Sequence, residues 1–340
     1  MTVQNKLWTA LGIVTLVAAA SSGVIKFKES ALALTSNGEE EEMVWIKPGT
    51  FEQGCASCDM EDALPIHNVT LDGFWMDKTP VTNEAFLKFA LSTKYQTIAE
   101  KVPSAEDYPD VPKEELHAGS AVFNPPAGPV PLTSVLAWWK YQKDAFWHQP
   151  EGPGSSIDQR MDHPAVHIGY DDAISYCQWA GKRLPTEAEF EYAARGGLVG
   201  KLYSWGDDLK PNGQWPANLF QGHFPDHNTG EDGFVGTSPV RSFPPNGFGL
   251  YDVSGNVWQW TSDFYRPDYY QSLQDQGGET KNPHGPADSY DPGEPGVVKR
   301  VQRGGSFLCT AEYCTRYLVA SRGKGEPSSS GSNVGFRCAK

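Results

Sequence analysis

Glycine and proline are so frequent in this chain that we predict a fold built largely of turns and loops. The 340 residues include 35 glycines and 26 prolines, and both residue types interrupt regular secondary structure. The chain also has 11 Trp, 14 Tyr and 16 Phe, whereas disordered chains are poor in aromatic residues. The sequence therefore predicts one globular domain whose long loops are held down by aromatic side chains.

The charge balance of the chain excludes one broad class of partner. The formal net charge is −14 at pH 7, and nucleic-acid-binding proteins need a basic face. The acidic run at residues 39–42 is interpreted as a solvated linker, because like charges repel and keep a segment extended.

The N-terminal segment predicts export from the cytoplasm. An apolar stretch from Leu7 to Ile25 lies between Lys6 and Lys26, which is typical of a signal peptide or an uncleaved membrane anchor. We therefore assign residues 1–30 to this segment, 31–42 to the linker and 43–340 to the domain. Export to a periplasm or secretory lumen implies an oxidising compartment, where paired cysteines form disulfides.

Local patterns predict a few strands near the start of the domain. A strand-and-turn region begins at Met43, and a second strand is predicted over Asn68–Asp77, with Val69, Leu71 and Trp75 as its apolar positions.

Three helices are predicted from their start and stop signals. Thr82 is expected to cap the first, which carries Phe86 and Phe89 on one face. The second covers residues 171–180 and stops at Gly181. The third is opened by a capping box, Thr186 with Glu189, and ends before Gly196 and Gly197.

Residues 100–160 show no clear periodicity and are predicted to form a long surface excursion held by Trp138, Trp139 and Trp147. From Leu202 onward we predict short strands and glycine turns.

Cys309 and Cys314 carry the strongest chemical signal. Four residues separate the two cysteines, and Gly304 and Gly305 precede them. This spacing lets the two sulfurs approach each other. Such a pair forms a disulfide or holds one soft metal ion, and Cu(I) is the ion that least needs further ligands. The spacing alone leaves both readings open.

Six ordered motifs resemble the formylglycine-generating enzyme, or sulfatase-modifying factor, family over residues 43–340. They occupy residues 163–167, 179–192, 228–234, 244–252, 255–261 and 333–338. The resemblance implies a mixed α+β fold, related to C-type lectins, with little regular secondary structure. The segment from Gly304 to Tyr317 matches the pattern that carries the family's active-site cysteines.

What this resemblance implies is a copper-dependent oxidase. The enzyme would bind Cu(I) through Cys309 and Cys314, with Ser306 as the active-site serine, and use O2 to convert a cysteine of a target polypeptide into formylglycine. The expected target is a Cys-x-Pro-x-Arg motif of a sulfatase. Trp258 and Tyr313 are expected to wall the site. Asn333 and Arg337 match residues near the family's site and are expected to contact the substrate, although Arg337 is equally suited to anchor the C-terminal tail.

The resemblance also implies Ca2+ sites and a structural disulfide. One calcium site would use Asn218, Asp232 and the carbonyls of Leu219 and Phe234; the second would use Asp252, Gln259 and the carbonyls of Gly255 and Val257. Oxygen ligands of this kind suit Ca2+. The disulfide would join Cys177 to Cys338.

Cys55 and Cys58 fall outside the family pattern. Their Cys-x-x-Cys spacing fits a tight local disulfide, or a pair that acts in redox or copper-transfer chemistry.

Two other functions remain open from the sequence. One is a sister oxidase that uses the same thiols on another exported peptide or a metabolite. The other is a non-catalytic binding module in which Cys309 and Cys314 form only a disulfide.

Overall fold

The computed structural model describes residues 42–106 and 111–340. The predicted signal or anchor segment and nearly all of the acidic linker lie outside the described residues. Within the part of the chain that is described, no helix combines the length and apolar character needed to cross a membrane. Residues 44–340 form one unit, which holds the site.

Regular elements are short and widely separated along the chain. The four α-helices of the described residues are α1 (Asn83–Thr93), α2 (Tyr170–Trp179), α3 (Glu187–Arg195) and α4 (Tyr269–Gln276). The strands are β1 (Met43–Ile46), β2 (Gly49–Gln53), β3 (His67–Leu71), β4 (Phe74–Asp77), β5 (Gly119–Phe123), β6 (Trp139–Lys143), β7 (Gly222–His223), β8 (His227–Asn228), β9 (Trp258–Phe264), β10 (Thr280–Lys281), β11 (Arg300–Arg303), β12 (Gly323–Gly325) and β13 (Val334–Gly335).

The site-bearing sheet has the strand order β12-β11-β9-β13. Strand β11 is antiparallel to both β12 and β9, whereas β13 is parallel to β9. Among the remaining strands, β10-β3-β2 form a three-stranded sheet, and β1-β4, β5-β6 and β7-β8 form pairs. This mixture confirms the predicted α+β class with little regular structure.

The helix starts predicted from capping residues are confirmed. The Thr82 hydroxyl accepts a hydrogen bond from the Ala85 N–H at 3.2 Å at the start of α1. At α3 the Thr186 hydroxyl accepts from the Glu189 N–H, and the Glu189 carboxylate accepts from the Thr186 N–H. These bonds satisfy helix N–H groups that have no partner within the helix.

The single strand predicted over Asn68–Asp77 is wrong, because the chain turns at Asp72 and Gly73 and forms β3 and β4 instead. Because of this turn, the alternation of buried and exposed side chains in β3 does not continue in the same register into β4. Val69 and Leu71 are buried as expected, but Trp75 is 40% exposed and lies against Trp45 of β1, with ring centroids 5.6 Å apart.

The long excursion over residues 100–160 is held by tryptophans, as predicted for Trp138 and Trp147. Both indoles are buried, whereas Trp139 is only half-buried. The excursion also contains the β5-β6 hairpin, which its sequence did not predict. Helix α4 was missed as well, because its N-cap, Asp268, makes no side-chain capping bond.

A disulfide joins Cys177 of α2 to Cys338 near the C-terminus, with the two Cα atoms 5.7 Å apart. Both sulfurs lie in the largest aromatic core cluster, beside Phe86, Tyr176 and Phe336. The bridge closes a loop with a sequence separation of 161, so it restricts the unfolded chain strongly.

A buried ion cluster connects α3 to two distant segments, those of Arg303 and Arg322. The Glu187 carboxylate accepts from Arg303 at 2.9 Å and from Arg322 at 2.6 Å. Glu191 accepts from Arg303 at 2.8 Å and from Arg195 at 2.7 Å. All five side chains are 5% exposed or less. Although burial opposes ionisation, Arg195 and Arg303 hold the pKa of Glu191 below its ordinary value.

Asp263 lies beside this cluster, and no arginine among the described residues pairs with it. Its carboxylate accepts from the Glu187 N–H at 2.8 Å and from the Ser262 hydroxyl at 3.0 Å. Burial, and then the nearby charge of Glu187, raise the pKa of Asp263 to about 7.

We expect the Cys177→Ala/Cys338→Ala variant to lose about 3–4 kcal/mol more unfolding free energy than Cys55→Ala/Cys58→Ala, since the two bridges close loops of very different length. Urea unfolding under non-reducing conditions measures both losses. Equal losses of unfolding free energy in the two double variants would contradict the conclusion that Cys177–Cys338 restricts the unfolded chain more than Cys55–Cys58 does.

Asp263 should make the fold less stable as pH rises. An aspartate in the unfolded chain releases its proton near pH 3.8, whereas the folded state keeps the proton on Asp263 up to a pKa of about 7. Stability is therefore lost between pH about 4 and about 7, and the loss is complete above that range. We expect Asp263→Asn to be more resistant to urea than the parent protein at pH 8, by about 1–3 kcal/mol.

The matched control is Asp288→Asn, which removes a largely exposed carboxylate paired with Arg266. It should leave the pH dependence of the urea midpoint unchanged. The interpretation fails if the parent protein and Asp263→Asn respond identically to pH from 5 to 8.

Candidate active site

A tight turn after β11 brings the predicted site residues together. Gly304 and Gly305 have φ angles of 91° and 71°, in the left-handed region that favours glycine. A Cβ on Gly304 would lie 2.9 Å from the Val253 carbonyl oxygen, and one on Gly305 would lie 2.9 Å from the Tyr317 nitrogen. The turn therefore requires both glycines, and it delivers Ser306 into the interior.

Cys309 and Cys314 are joined as a disulfide, with their Cα atoms 4.6 Å apart. Cys309 is 1% exposed, whereas Cys314 is half-buried. The Cys309 N–H donates to the Ser306 carbonyl at 2.9 Å, and the Cys314 N–H donates to the Thr310 carbonyl at 3.0 Å. Two successive turns thus set the sulfurs side by side, with one facing the interior and one reachable from outside.

Ser306 connects the sulfur pair to Asn333. Its N–H donates to Cys309 Sγ at 3.4 Å. Its hydroxyl oxygen accepts from the Asn333 side-chain amide at 3.0 Å and from the Leu308 N–H at 3.3 Å. Because Ser306 is fully buried and Asn333 is 8% exposed, the hydroxyl is held in one position next to the sulfurs.

Aromatic side chains surround the inner sulfur. Cys309 and Tyr317 belong to a buried cluster against which Trp205, Trp258 and Cys314 pack. Trp258 begins β9, and its N–H donates to the Asn333 carbonyl at 2.8 Å. The predicted wall residue Trp258 is therefore in the same cluster as both sulfurs. Trp260, two residues further along β9, is fully buried and donates to the Ile168 carbonyl, so it belongs to the core.

Tyr313 lies at the exposed rim, immediately before Cys314. Its side chain is 40% exposed, and its ring stacks on Phe224 at a centroid distance of 4.6 Å. The edge of the same ring meets Trp138 at 5.3 Å. Partial burial raises the pKa of Tyr313 above its ordinary value, so the ring carries a neutral hydroxyl at physiological pH.

A cavity of about 220 Å3 adjoins this site. Phe307 and Ser332, the chain neighbours of Ser306 and Asn333, contribute to its wall. The other side includes Phe123 of β5 and Asn83, whose side-chain oxygen is buried without a hydrogen-bond partner among the described residues.

Arg337, which the sequence predicts to anchor either the C-terminal tail or the peptide, lies in the interior. Its guanidinium is fully buried and donates to Gln259 Oε1 at 2.6 Å and to the carbonyls of Tyr251 and Asp252 at 2.7 and 2.8 Å. Burial lowers the pKa of Arg337 to about 10, and the charge of Asp252 opposes this shift. Arg337 therefore anchors the C-terminal segment to residues 251–259.

The first predicted calcium site has a donor set that suits a hard cation. Asp232 accepts from the N–H groups of Leu219 and Phe234, both at 2.9 Å, so the two predicted ligand segments are adjacent. Burial raises the pKa of Asp232. The side-chain oxygen of Asn218 is buried with no hydrogen-bond partner within the described chain. Asn218 is the chain neighbour of Leu219, so the orphaned oxygen and the Asp232 carboxylate belong to adjoining segments and are of the ligand type that Ca2+ prefers.

The second predicted calcium site does not fit a cation. Gln259 uses its oxygen to accept from Arg337 and its amide nitrogen to donate to the Asp252 carbonyl. The Asp252 carboxylate accepts from the Arg241 N–H and from Asn256. The positive charge of Arg337 already lies against this group, so the predicted ligands Gly255 and Val257 belong to a turn beside an arginine.

Sequence reasoning missed the layer of aromatics beneath Tyr313. Phe220, Phe224, Trp138, Phe307 and Leu308 form one buried cluster that supports the rim of the site from below. Trp138 was predicted to hold the long excursion, but its contact with this site was not predicted; the other local signal was the pair of phenylalanines at 220 and 224, in a segment without periodicity.

The chain is similar to known proteins over most of its length. The Sulfatase-modifying factor enzyme 1-like domain matches residues 29–340. The chain is 46% identical to the formylglycine-generating enzyme of Mus musculus over 301 residues, covering 87% of this chain and 74% of the relative. It is 45% identical to that of Streptomyces coelicolor over 304 residues, covering 87% and 88%.

A third relative carries a different label. The Bos taurus protein named inactive C-alpha-formylglycine-generating enzyme 2 is 39% identical over 307 residues, covering 89% of both chains. Among solved structures, PvdO from Pseudomonas aeruginosa matches with a TM-score of 0.56 and 23% identity, covering 87% of this chain and 93% of that one, which supports the fold. On the extent of these matches, the chain belongs to the sulfatase-modifying factor, or formylglycine-generating enzyme, family.

Proposed function

We propose that this protein oxidises a cysteine of a target polypeptide to formylglycine, using Cu(I) and O2. The observation that carries the proposal is the pair Cys309 and Cys314, set side by side next to a fixed Ser306 in an aromatic cluster. Because the family includes a relative named inactive, membership alone does not decide activity. The thiol pair is the feature on which the chemistry depends.

The donor set at the pair fits a soft, low-coordinate metal ion. After reduction of the disulfide, Cys309 and Cys314 would hold the ion as thiolates, which are ligands that Cu(I) prefers. Within the described chain, no group of three or more His, Cys, Asp or Glu side chains is arranged to hold a metal. Two protein ligands leave a position open for the thiol of a substrate cysteine. Bound Cu(I) would supply the one-electron chemistry that O2 requires.

The residues around the sulfurs have separate roles. The Ser306 N–H donates to Cys309 Sγ, and such a bond stabilises the thiolate over the thiol. Asn333 orients the Ser306 hydroxyl, which can then hold or pass a proton near the reacting sulfur. Trp258 and Tyr317 exclude water from the inner side of the pair, which limits side reactions of an oxidising site.

A polypeptide substrate can reach the pair from its exposed side. Cys314 is half-buried and Tyr313 is exposed, so an extended segment can lie across the rim with its cysteine directed at Cys314. The cavity lined by Phe307 and Ser332 would receive a neighbouring substrate side chain. The family description names sulfatases as the modified class, and a Cys-x-Pro-x-Arg segment of a sulfatase is the proposed target.

We also propose one bound Ca2+, held by Asn218, Asp232 and the carbonyls of Leu219 and Phe234. The ion would bind the orphaned Asn218 oxygen and tie residues 218–219 to 232–234. Its role is structural, because Phe220 follows these ligands directly and packs beneath Tyr313 through Phe224.

The proposed location is a periplasm or secretory lumen. The six cysteines of the chain are all paired in disulfides, and such bonds persist in oxidising compartments. The N-terminal segment 1–30 would direct the protein there.

Aldehyde formation tests the proposed reaction. The full chain is incubated with a Cys-x-Pro-x-Arg peptide, Cu(I), O2 and a dithiol reductant, and the peptide aldehyde is measured by mass spectrometry. We expect turnover by the parent protein and a loss of at least about 1,000-fold in Cys309→Ser and Cys314→Ser, since each removes a group that the reaction requires. Thr315→Ala, next to the pair, is the matched control and should keep its activity.

Cu(I) binding, measured by competition with a chelator, separates the alternatives. If the parent protein binds one Cu(I) through Cys309 and Cys314 but forms no aldehyde, a sister oxidase with another substrate replaces the proposal. If the reduced pair binds no Cu(I), the protein is a binding module and the oxidase assignment is overturned.

Calcium removal tests the proposed ion. A chelator of Ca2+ should lower the thermal unfolding midpoint of the parent protein, because the ion binds the folded state alone; an ion at 100 times its dissociation constant contributes about 2.7 kcal/mol. Asp232→Asn should unfold at the lower midpoint with or without chelator. Asp252→Asn, from the second group, should respond to the chelator as the parent protein does. An unchanged midpoint in the parent protein would contradict the site.

A further inference from the structure

The third disulfide of this protein, Cys55–Cys58, lies in a loop whose path is held by hydrogen bonds as well as by the disulfide. The loop begins at Gly54, whose N–H donates to Glu191 at 3.0 Å and whose carbonyl accepts from Arg195 at 2.9 Å. The Cys55 N–H donates to the Ala63 carbonyl at 3.1 Å. The loop path is therefore fixed at both ends by hydrogen bonds that survive when the disulfide opens.

The far end of the loop is held in the same way. The Asp62 carboxylate accepts from the Tyr265 hydroxyl at 2.9 Å, and the Asp62 carbonyl accepts from Arg322 at 2.8 Å. The sequence separation of the bridge is only 3, so it restricts the unfolded chain far less than Cys177–Cys338 does. A bond that contributes little to the loop or to the unfolded state can break and re-form without loss of the fold.

The two sulfurs of this loop differ in exposure, as exchange chemistry requires. Cys55 is half-buried beside the exposed residues Ala56 and Ser57, whereas Cys58 is 8% exposed. The Ser57 hydroxyl lies 3.6 Å from Cys55 Sγ, where it can donate to a thiolate. An incoming thiolate can thus reach Cys55, with Cys58 as the leaving sulfur.

The loop also packs against the segment that follows the active-site pair. Cys55 and Cys58 share a small apolar cluster with Leu318, and the Leu318 N–H donates to the carbonyl of Thr315, next to Cys314. Asp62 forms an ion pair with Arg316 at 3.6 Å. The two redox-capable sulfur pairs therefore lie on segments in direct contact.

The proposed reaction needs electrons that its substrate does not supply. A thiol-bearing methylene group that becomes an aldehyde with release of hydrogen sulfide loses two electrons, whereas O2 takes up four when both oxygen atoms leave as water or enter the product. The balance is one substrate thiol, one O2 and two further thiols, giving one aldehyde, one hydrogen sulfide, one water and one disulfide. A dithiol must be oxidised in each cycle, and the Cys309–Cys314 pair must be kept reduced.

We propose that Cys55 and Cys58 form the entry site for these electrons, exchanging with an external dithiol and then reducing the Cys309–Cys314 disulfide; this inference rests on the proposed function. The external thiolate attacks Cys55 and Cys58 leaves as a thiolate. The second external thiol resolves the mixed disulfide, so the external dithiol is oxidised and the loop becomes a dithiol. The loop dithiol then attacks Cys314, the more exposed of its pair, and is returned to a disulfide as Cys309 and Cys314 are reduced.

Anaerobic reduction of the oxidised full chain, without copper or peptide, tests this order of events. Either dithiothreitol or a thioredoxin-type protein dithiol is added, the reaction is stopped with acid, and free thiols are alkylated and located by mass spectrometry. We expect Cys55 and Cys58 to be labelled before Cys309 and Cys314, with Cys177 and Cys338 still joined. Labelling of Cys309 and Cys314 while Cys55–Cys58 remains oxidised overturns the proposal.

A double variant tests the transfer step. Cys55→Ala/Cys58→Ala should reduce its Cys309–Cys314 disulfide at least about 10-fold more slowly in one or both dithiol arms, and the arm that slows identifies the type of donor. Asp59→Asn, which keeps both thiols in the same loop, should match the parent protein. If the double variant reduces Cys309–Cys314 at the parental rate with both dithiols and keeps the parental thermal midpoint, the Cys55–Cys58 bridge is only a local structural bond.

Failure of this inference is distinguishable from failure of the oxidase assignment. In a single turnover that starts from fully reduced protein, Cys55→Ala/Cys58→Ala should form the aldehyde at the parental rate, because the pair acts only in re-reduction. A slow single turnover in the folded variant contradicts the electron-entry role. If the parent protein forms no aldehyde but its disulfides are still reduced in the expected order, the oxidase assignment is rejected and the exchange role of Cys55 and Cys58 is retained.

Discussion

Buried charge pairing is the interaction on which the rest of this structure depends. The elements are short, and two carboxylates of α3, Glu187 and Glu191, are removed from water together with the guanidinium groups of Arg195, Arg303 and Arg322. An unpaired charge at such a depth is strongly destabilising, so the three arginines must meet these carboxylates. The cluster thereby fixes β11, the segment before β12 and the loop at Gly54 relative to one helix.

The buried ion cluster fixes the position of the active-site turn. Arg303 is the last residue of β11 and is held by both carboxylates, and Gly304 and Gly305 follow at once. The left-handed turn then places Ser306 against Asn333. The sulfur pair is thus positioned by a short chain of contacts that begins at fully buried ions, so a site on a loop can be held with little freedom although regular structure is scarce.

Arginine performs a second structural role at the other end of the site. Arg337 binds Gln259 and the carbonyls of residues 251–252, where the sequence led us to expect a calcium ion. A fixed guanidinium offers five donors in a planar arrangement and so satisfies several carbonyl groups at once. The same chemistry that makes arginine a candidate substrate anchor in the sequence makes it a core residue here.

Local chemistry is what the sequence by itself determined. The caps of α1 and α3, the glycine turn before Ser306 and the spacing of Cys309 and Cys314 depend on residues a few positions apart, and they could be predicted. Helix α4, the split into β3 and β4, and the burial of Arg337 depend on partners many positions away, and so does the contact of the Cys55–Cys58 loop with Leu318. Only the tertiary structure decided them, because a buried charge or an uncapped helix is stable only where distant segments supply its partners.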